Sequence, residues 1–491
     1  MIGVGSMASR REELSAYTFS RRRTVAAFLR PSGGGACEDA PRGLRAILPG
    51  IVVGALAVAG FGGYGLVRPS APLHWRTADA VIVGRQSTTR YVWWNGALHP
   101  VLNIASARLL LGAGSSVVPV EDSVLDSVPH GATVGIPYAP DSLPTAADAG
   151  IPKVWAYCDR PANRPGGGTD EKLFVLEGAD AAAASGAGRL GPRQALYVQG
   201  PDGATYLVDV TGTAHRLVGG DATGGAAATQ RLLLATAAFG ATVGTPQSVS
   251  SSWLATLRSG DPIGIPQGDI AGYGGPADVT VGQSAARIGD IFQVKDNGGG
   301  LLDYVVLQDG VHPLSPFAFQ LLEAVHRGAP VPVVPDTAVL GANLAPPFEG
   351  GRDWPTSAVT QANSSSLAGS GDTVACSVYT GTASGAGVPG LGLWAGQSYP
   401  VDGTPGTAGV YVTPGSGLLY REVTGTSTDT GAVNLLTDTG LRCPVPMNGD
   451  AQARLGYSAV TRLPVVPLAW SRLLSAGPVL NSLAAGQQQG S

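Results

Sequence analysis

The amino-acid sequence predicts a single-pass membrane protein whose larger, extracytoplasmic region has a β-rich α+β fold. Three observations lead to this prediction: a long uncharged apolar segment, a concentration of arginine before it, and a composition typical of strands and turns. The chain has 491 residues, of which 72 are glycine and 37 are proline, while only 13% are charged. This composition favours strands joined by turns over long solvated helices, and the length indicates several globular units.

The apolar segment covers 47–67, which holds 21 residues and no charge between Arg45 and Arg68. As a helix it would be ~31 Å long, about the thickness of the hydrocarbon core of a bilayer. A buried core helix rarely runs this long without a polar face. A cleaved signal peptide does not fit either, because 46 residues precede the segment and no compact small-residue cleavage site follows it. We therefore expect a transmembrane helix over 47–67.

The placement of arginine predicts the direction in which the chain crosses the membrane. Eight arginines and four acidic residues precede 47–67, so this stretch has a net charge of +4, whereas the whole chain has −4. Positive charge is retained on the cytoplasmic side, so 1–46 is expected in the cytoplasm and the region after Arg68 beyond the inner or plasma membrane. Whether the chain starts at Met1 or at Met7 stays open, because the first six residues fit no element.

The segment 9–31 reads SRREELSAYTFSRRRTVAAFLRP and predicts a helix that Ser9 caps and Pro31 ends. Apolar side chains beside its arginines fit a helix that lies on the inner leaflet or docks on a partner, and a loose basic tether is the alternative.

Small residues form two rows within 47–67, at a spacing that permits close helix packing inside a membrane. These are Gly50 and Gly54, and Ala55, Ala59 and Gly63. A chain rich in glycine and alanine also produces such spacings by chance, and both interpretations stay open.

The region after the predicted membrane helix repeats itself. An aromatic or aliphatic strand residue is followed eight or nine positions later by His or Cys. The pairs are Tyr91 and His99, Tyr206 and His215, Tyr304 and His312, and, in a less recognisable fourth copy, Leu435 and Cys443. A second block recurs as PHGATVGIP (129–137), RSGDPIGIP (258–266) and SAGPVLN (475–481). Each copy therefore predicts a strand, a tight turn, a second strand carrying the His, a short helix and a closing strand. One such unit cannot bury both faces alone, so the copies should pack on each other or on a shared centre.

The sequence carries no signature of a catalytic, metal or nucleotide site, and no basic stripe suited to nucleic acid. A phosphate loop needs Lys followed by Ser or Thr, whereas Lys153, Lys172 and Lys295 precede Val, Leu and Asp. The repeated histidines are candidate metal ligands, but copies of a repeat lie apart in space. We therefore interpret each as a strand residue whose ring N–H bonds to a neighbouring turn. The prediction is no catalytic residue, no metal and no cofactor.

Several stretches resemble the EccB subunit of type VII (ESX-type) secretion systems. They are RREELSAYTFSRRRTVAAFL, STTRY (87–91), LHPVLNIASARLLL (98–111), HGATVGIPYAPDSLP (130–144) and WAYC (155–158). The resemblance runs from Ser9 to about Asn481. It implies four related repeats around a central β domain, arranged like a distorted propeller. It also implies a membrane subunit of a translocation complex with EccC, EccD and EccE as partners.

The repeats and the resemblance together predict how the chain is divided. The regions are a cytoplasmic basic segment (1–46), the transmembrane helix (47–67), repeat 1 (78–144), a first segment of the central domain (145–190), repeat 2 (191–268), repeat 3 (269–342), a second segment of the central domain (343–395), repeat 4 (396–482) and a disordered tail (483–491). Two low-complexity stretches, 178–191 and 363–390, are predicted as loops that form no packed core by themselves.

We expect the chain to be a structural subunit that holds a secretion complex together and also associates with copies of itself. Two alternatives stay open. Small β-rich modules tethered outside a membrane are also typical of a cell-wall-binding module. Members of the EccB family are commonly labelled ATPases, so the label alone implies ATP as a cofactor and an ATP-hydrolysing subunit.

The resemblance places a disulfide in the central domain, and Cys158 is one position that matches it. We predict the pair Cys158 and Cys376, since both are expected in an oxidising compartment, whereas Cys37 is expected in the reducing cytoplasm. Unrelated buried thiols are the alternative. Cys443 lies where the other copies carry His, which indicates drift of the repeat, although a reactive thiol there is also conceivable.

Overall fold

The computed structural model describes residues 10–29, 44–67, 71–72, 75–76, 79–163, 167–219, 225–264, 270–282, 284–296, 298–324, 326, 330–336, 345–348, 350–365, 372–383, 389–402, 409–425, 430–447 and 450–490. Ser9, Pro31 and Cys37 lie outside the described residues. The chain forms two compact units, Met1–Ser70 and Ala71–Ser491, and each is described by itself.

The first unit contains two helices. They are α1 (Arg10–Leu29) and α2 (Leu44–Val67). Glu12 and Glu13 lie in the first turn of α1, where acidic side chains interact favourably with the helix dipole, and all side chains of α1 are exposed. α2 includes the whole of 47–67, and its side chains are described at Ile47 and 49–63. Among the described residues, no helix reaches the length and apolar character that crossing a membrane requires.

The second unit opens with the first repeat. Its elements are β1 (Ala80–Gly84), β2 (Arg90–Trp94), β3 (Ala97–Pro100), α3 (Ile104–Leu111), β4 (Ser116–Val120) and α4 (Asp122–Leu125). β2 and β3 join at Asn95 and Gly96, whose φ angles of 49° and 80° suit the two-residue turn that matches hairpin twist. Asn103 caps α3, since its side chain accepts a hydrogen bond from the Ser106 N–H at 2.9 Å.

The middle of the chain continues with two strands of the central sheet and two further repeats. The connecting elements are α5 (Ala146–Ala149), β5 (Val154–Pro161), β6 (Thr169–Leu176) and α6 (Gly178–Ser185). Repeat 2 contains β7 (Gln194–Gln199), β8 (Thr205–Val208), β9 (Thr213–Arg216), α7 (Gly225–Phe239), β10 (Gln247–Ser248), α8 (Ser251–Ala255) and β11 (Arg258–Ser259). A hairpin of β12 (Pro276–Val281) and β13 (Ser284–Arg287) precedes repeat 3, which contains β14 (Ile291–Lys295), β15 (Leu301–Leu307), β16 (Gly310–Pro313), α9 (Pro316–Glu323) and β17 (Val333–Pro335).

The last stretch of the chain completes the central sheet and forms the fourth repeat. First come β18 (Thr360–Gln361), β19 (Val374–Ala383), β20 (Pro389–Gly396) and β21 (Val410–Val412). Repeat 4 contains β22 (Leu418–Val423), β23 (Val433–Leu436), β24 (Leu441–Pro444), α10 (Ala451–Arg454), β25 (Val465–Pro467), α11 (Leu468–Ser471) and β26 (Ser475–Ala476), and α12 (Ser482–Ala485) follows.

The four repeats share one topology. Three antiparallel strands form a meander, a helix follows, and a fourth strand returns parallel to the first. The spatial orders are β3-β2-β1-β4, β9-β8-β7-β10, β16-β15-β14-β17 and β24-β23-β22-β25. The structure thus contains four copies of one mixed α/β motif, as the repeated sequence pattern predicts.

Each repeat ends in a return segment that pairs with its third strand. In repeat 1, the N–H groups of Gly131 and Val134 donate to the carbonyls of Leu98 and Pro100, both at 2.9 Å. The corresponding donors are Gly260 and Ile263 in repeat 2, Ala345 and Phe348 in repeat 3, and Gly477 and Leu480 in repeat 4. The return segments of repeats 1, 2 and 4 correspond to the second recurring block of the sequence, 129–137, 258–266 and 475–481. The copy in repeat 3 lies within 343–395, the range predicted as the second segment of the central domain.

The central sheet has the strand order β20-β19-β5-β6-β21. Its strand β19 lies inside 363–390, so the prediction of a loop is wrong for 374–383, where small and apolar side chains are buried on both faces of the strand. Strand pairing also crosses two predicted boundaries. β18, from 343–395, pairs with β7 of repeat 2, and β21, from 396–482, pairs with β6 of the central sheet.

In the second unit each module packs on the next in the order repeat 1, repeat 4, central sheet, repeat 2 and repeat 3. Repeats 1 and 4 share a core that includes Leu109 and Leu455. Both repeats 2 and 4 contribute to one core with the central sheet, and repeats 2 and 3 share a core that includes Phe239 and Phe317. The described strands form six separate sheets and show no closed propeller.

The prediction of a disordered tail is wrong for 483–490. The side chain of Asn481 caps α12 by accepting a hydrogen bond from the Ala484 N–H at 2.7 Å. The Gln489 N–H then donates to the Thr133 carbonyl at 2.8 Å, so the end of the chain pairs with the return segment of repeat 1. These backbone partners explain the order of a segment whose polar composition favours disorder.

Candidate functional site: the central sheet and its interfaces

The central sheet contains the disulfide between Cys158 and Cys376. These residues lie directly opposite each other on the antiparallel neighbours β5 and β19, with their Cα atoms 4.0 Å apart. Both are fully buried, against Ala156 and Trp394 among others. The bond therefore joins strands that are 218 residues apart in sequence at the middle of the sheet.

A buried ion pair network connects the central sheet with repeat 4. The Nζ atom of Lys153, whose side chain is 1% exposed, lies 2.5 Å from Asp148 Oδ1 and 2.7 Å from Glu177 Oε2. The other oxygen of Asp148 accepts the N–H of Gly417, immediately before β22, at 3.1 Å. Burial opposes ionisation of Glu177, but hydrogen bonds from Lys153 and Ser416 hold the pKa of Glu177 below its usual value. Lysine is seldom fully buried unless it is paired, and here two carboxylates pair with it.

Two tryptophans attach the flanking repeats to the central sheet at equivalent positions. Trp253 in α8 and Trp470 in α11 each lie seven residues before the return-segment glycine, Gly260 or Gly477. Trp253 donates its ring N–H to the Ala375 carbonyl at 3.1 Å, and the ring of Trp470 lies 5.8 Å from that of Tyr379. A shared pattern, WLATLRSG and WSRLLSAG, marks this position in the sequence.

The interface with repeat 2 also contains a buried carboxylate. Asp159 on β5 accepts the Ser250 N–H, just before α8, at 2.6 Å through Oδ2. Its Oδ1 atom is buried without a hydrogen-bond partner among the described residues. Burial is the main cause that raises the pKa of Asp159 to about 7; hydrogen bonds from Ser250 oppose it and the charge of Glu171 adds to it.

The repeated histidines contact their own return segments. Nδ1 of His99 lies 2.9 Å from the Ala132 carbonyl, Nδ1 of His215 lies 2.9 Å from that of Asp261, and Nδ1 of His312 lies 2.8 Å from that of Pro346. A carbonyl oxygen only accepts, so each Nδ1 carries the proton. The predicted bond from ring to neighbouring turn is confirmed, and the three side chains are buried.

Cys443 occupies the histidine position in repeat 4 and forms no disulfide. Burial raises the pKa of its thiol to about 12, which keeps the sulfur protonated at neutral pH. The site is thus an apolar core position rather than a reactive thiol.

In repeats 1, 2 and 4 the glycine of the return segment makes room for the His or Cys side chain of the third strand, whereas repeat 3 has Ala345 at this position. A Cβ atom on Gly131 would lie 2.1 Å from Cε1 of His99, and one on Gly477 would lie 2.6 Å from Sγ of Cys443. We expect Gly131→Ala to lower the free energy of unfolding by roughly 2 kcal/mol, because the ring cannot move without breaking its bond to Ala132. Urea unfolding measures the loss. Gly114→Ala in the same repeat is the control, since a Cβ there meets nothing within 4 Å, and an equal loss in both variants would contradict the expectation.

The three lysines lie in different environments. Lys153 is enclosed by carboxylates, Lys172 lies over the ring of Tyr399, and Lys295 is exposed on β14. Across the residues that the structure describes, no group of three or more His, Cys, Asp or Glu residues is placed to hold a metal ion.

The small-residue rows of 47–67 lie on α2. A Cβ atom added at Gly50, Gly54 or Gly63 would meet nothing within 4 Å. The rows at Gly50 and Gly54, and at Ala55, Ala59 and Gly63, stay a prediction of helix packing.

The fold and these contacts define a repeat-built protein of mixed α/β type, in which buried polar groups connect two of the four copies of one motif to a disulfide-linked centre. The sequence profile of the family described as "Type VII secretion system ESX-1, transport TM domain B" matches residues 6–491. The chain therefore belongs to the EccB family of type VII secretion systems, and the resemblance carried by its motifs is confirmed.

Curated relatives cover most of the chain. The protein named ESX-3 secretion system ATPase EccB3 of Mycobacterium tuberculosis is 29% identical over 465 residues, which cover 89% of this chain and 81% of that protein. ESX-1 secretion system ATPase EccB1 of the same species is 27% identical over 457 residues, covering 90% and 86%.

Two solved structures have a similar fold. A chain of an intact ESX-5 inner membrane complex matches with a TM-score of 0.62 and 21% identity, over 100% of this chain and 97% of that one. An EccB3 dimer from the ESX-3 core complex matches with a TM-score of 0.61 and 24% identity, over 83% and 100%. At these identities the likeness concerns the fold.

Proposed function

We propose that this chain is a structural membrane subunit of a type VII secretion core complex, and that its role is to hold the assembly together rather than to catalyse a reaction. The observation that carries the proposal is membership of the EccB family over residues 6–491. The buried polar groups described above support it, because Lys153 and Asp159 join the central sheet to repeats 4 and 2.

The proposed topology is a single crossing of the inner membrane by 47–67, with α1 in the cytoplasm and Ala71–Ser491 outside. The arginine-rich lead supports this direction, since positive charge is retained in the cytoplasm. The disulfide between Cys158 and Cys376 also supports it, because such bonds persist in oxidising compartments. In this arrangement repeats 4 and 1 lie on one side of the central sheet, and repeats 2 and 3 lie on the other.

The proposed partners are EccC-, EccD- and EccE-type membrane subunits and further copies of this chain. The fold likeness to a chain of an ESX-5 inner membrane complex and to an EccB3 dimer supports both kinds of contact. The exposed apolar side chains of α1, such as Tyr17 and Phe28, suit docking on a cytoplasmic partner domain, and the glycines of α2 suit packing among other helices.

Affinity purification of the tagged full chain from native membranes, followed by blue-native electrophoresis, tests this function. We expect the chain in a very large complex that also contains a multi-helix membrane subunit and a large ATPase. The double variant Gly50→Leu and Gly54→Leu should weaken that complex at least several-fold, because leucine keeps helices apart. Gly60→Leu is the matched control, since Gly60 lies on a different face of α2 from both rows.

Migration of the native chain by itself would contradict the proposal. Sedimentation of the purified chain with peptidoglycan, without partner subunits, would support a cell-wall-binding module instead. If the double variant and the matched control give equal recovery of the complex, the glycine row has no role in assembly, and the proposal that the chain belongs to the complex still stands.

A further inference from the structure

The contact between β5 and α8 encloses a carboxyl group that has no counter-charge. Asp159 is completely buried where the central sheet meets repeat 2. Among the described residues, only one of its carboxylate oxygens has a hydrogen-bond partner, the Ser250 N–H at 2.6 Å. An ionised carboxylate in such a site carries its charge without full hydrogen bonding, which is costly.

The central sheet presents further acidic and phenolic groups to Asp159. Glu171 lies directly opposite it on β6, and Tyr157 donates its hydroxyl hydrogen to that Glu171 carboxylate. The hydroxyl of Tyr399 also lies close enough to interact with the charge of Asp159. Two carboxylates placed opposite each other repel when both are ionised.

The arginine next to Asp159 on β5 is engaged by other groups. Arg160, the next residue along β5, lies 3.6 Å from Asp170 and over the Tyr399 ring at 5.1 Å.

Repeat 2 contributes only neutral groups to the same contact. Besides the backbone and hydroxyl of Ser250, the amide of Gln247 donates to the Asp159 carbonyl at 3.2 Å. Trp253 packs beside them with its own backbone N–H bonded to the Ser250 hydroxyl at 3.1 Å. Among the described residues, no Lys, Arg or His of repeat 2 faces the carboxyl group.

We propose that the β5–α8 contact is proton-dependent: it is closed while Asp159 is neutral and loosens when Asp159 ionises. When Asp159 loses its proton, its carboxylate carries a negative charge in a buried interface and faces Glu171 across the strands. Separation of α8 from β5 lets water reach this carboxylate. A rise of pH would therefore loosen the segment of repeat 2 that contacts β5.

The direction of the effect follows from linkage. The pKa of Asp159 is raised from an ordinary value near 4 to about 7 in the closed contact, so the closed form binds the proton more tightly. The closed form is then favoured most below pH 4, loses its advantage between about pH 4 and pH 7, and changes no further above that range. Across the sloping part, the ratio of open to closed contact should rise roughly tenfold per pH unit.

Hydrogen exchange of the purified full chain between pH 5 and pH 8 tests the proposal, after correction for the intrinsic pH dependence of exchange. We expect protection of 247–257 to fall roughly tenfold per unit up to about pH 7 and then to level off. The equivalent segment of repeat 4, 465–474, is the internal control, because its tryptophan packs on the same sheet without a buried lone carboxyl group facing it.

Two variants separate this effect from a general loss of structure. Asp159→Asn should abolish the pH dependence of 247–257. Glu171→Gln alters an exposed side chain, and it should move the levelling point to lower pH by removing the opposing charge. Equal responses of 247–257 and 465–474 would overturn the proposal, as would a dependence that persists in Asp159→Asn. If Asp159→Asn does not fold, an unchanged levelling point in Glu171→Gln would overturn it.

Discussion

Removal of the disulfide between Cys158 and Cys376 will lower the melting temperature of the unit Ala71–Ser491 by roughly 5 °C. The bond closes a loop of 218 residues between neighbouring strands of the central sheet. In the chain-entropy account, a loop of this length stabilises the folded state by about 5 kcal/mol. The double variant Cys158→Ala and Cys376→Ala, followed by thermal melting under non-reducing conditions, measures the loss.

The remaining cysteines provide the control for this experiment. Cys443→Ala keeps the disulfide and removes one buried sulfur, so it should cost only about 1 kcal/mol. Thiol titration of the unreduced, denatured chain should count two free thiols, Cys37 and Cys443, and four after reduction. Four thiols without reduction would refute the bond. A melting temperature of the double variant equal to that of Cys443→Ala would refute its stabilising role.

The sequence predicts the repeats well because their markers are local. The spacing of Tyr and His predicts a hairpin, and the blocks that begin PHG (129–131) and RSG (258–260) predict the segment that pairs with that hairpin. Repeat 3 shows the limit of this reasoning. Its return segment, with Ala345 and Pro346 where other copies have the glycine pattern, makes the same two hydrogen bonds but has lost the recognisable residues. Backbone hydrogen bonds depend on geometry and only weakly constrain which side chains are present. A copy with different side chains is therefore recognised from the structure and not from the sequence.

The fourth strand of the repeats has a sequence marker that becomes recognisable once the fold is known. Val-Val-Pro occurs at 117–119, 333–335 and 465–467, on the fourth strand of repeats 1, 3 and 4. Each of these strands lies at an edge of its sheet, where proline leaves no N–H unpaired.

The central domain is harder to predict because its strands come from distant regions of the chain. β19 is composed largely of Ala, Ser, Thr, Gly and Val, so composition alone indicates a loop, and only pairing with β5 and β20 explains its burial. The interface groups are hidden for the same reason. Asp148, Lys153 and Glu177 are separated by short stretches without a motif, and their association depends on how β5 and β6 meet α5.

Lys153→Ala is therefore expected to destabilise the chain strongly, by roughly 3 kcal/mol, although the residue belongs to no recognisable motif. The substitution leaves the carboxylates of Asp148 and Glu177 close together without the ammonium group that now lies within 2.7 Å of both. Removing one partner of a buried ion pair typically costs about 3–5 kcal/mol, and the lower end applies because both carboxylates keep some contact with water. Urea unfolding at pH 7.5 measures the loss.

The pH dependence of the loss distinguishes missing charge from missing volume. Lys153 lowers the pKa of Glu177, and the stability from this pairing is lost as the pH falls and Glu177 takes up a proton. The deficit of the variant relative to the original chain should therefore shrink toward acidic pH, whereas a cavity would cost the same at every pH. Lys295→Ala is the matched control, since that side chain is exposed on β14 and its removal should change the free energy of unfolding by less than about 0.5 kcal/mol. A deficit of Lys153→Ala that is constant from pH 4.5 to pH 7.5 would assign the role of Lys153 to packing, and the attachment of repeat 4 to the central sheet would then depend on its apolar core and not on the ion pairs.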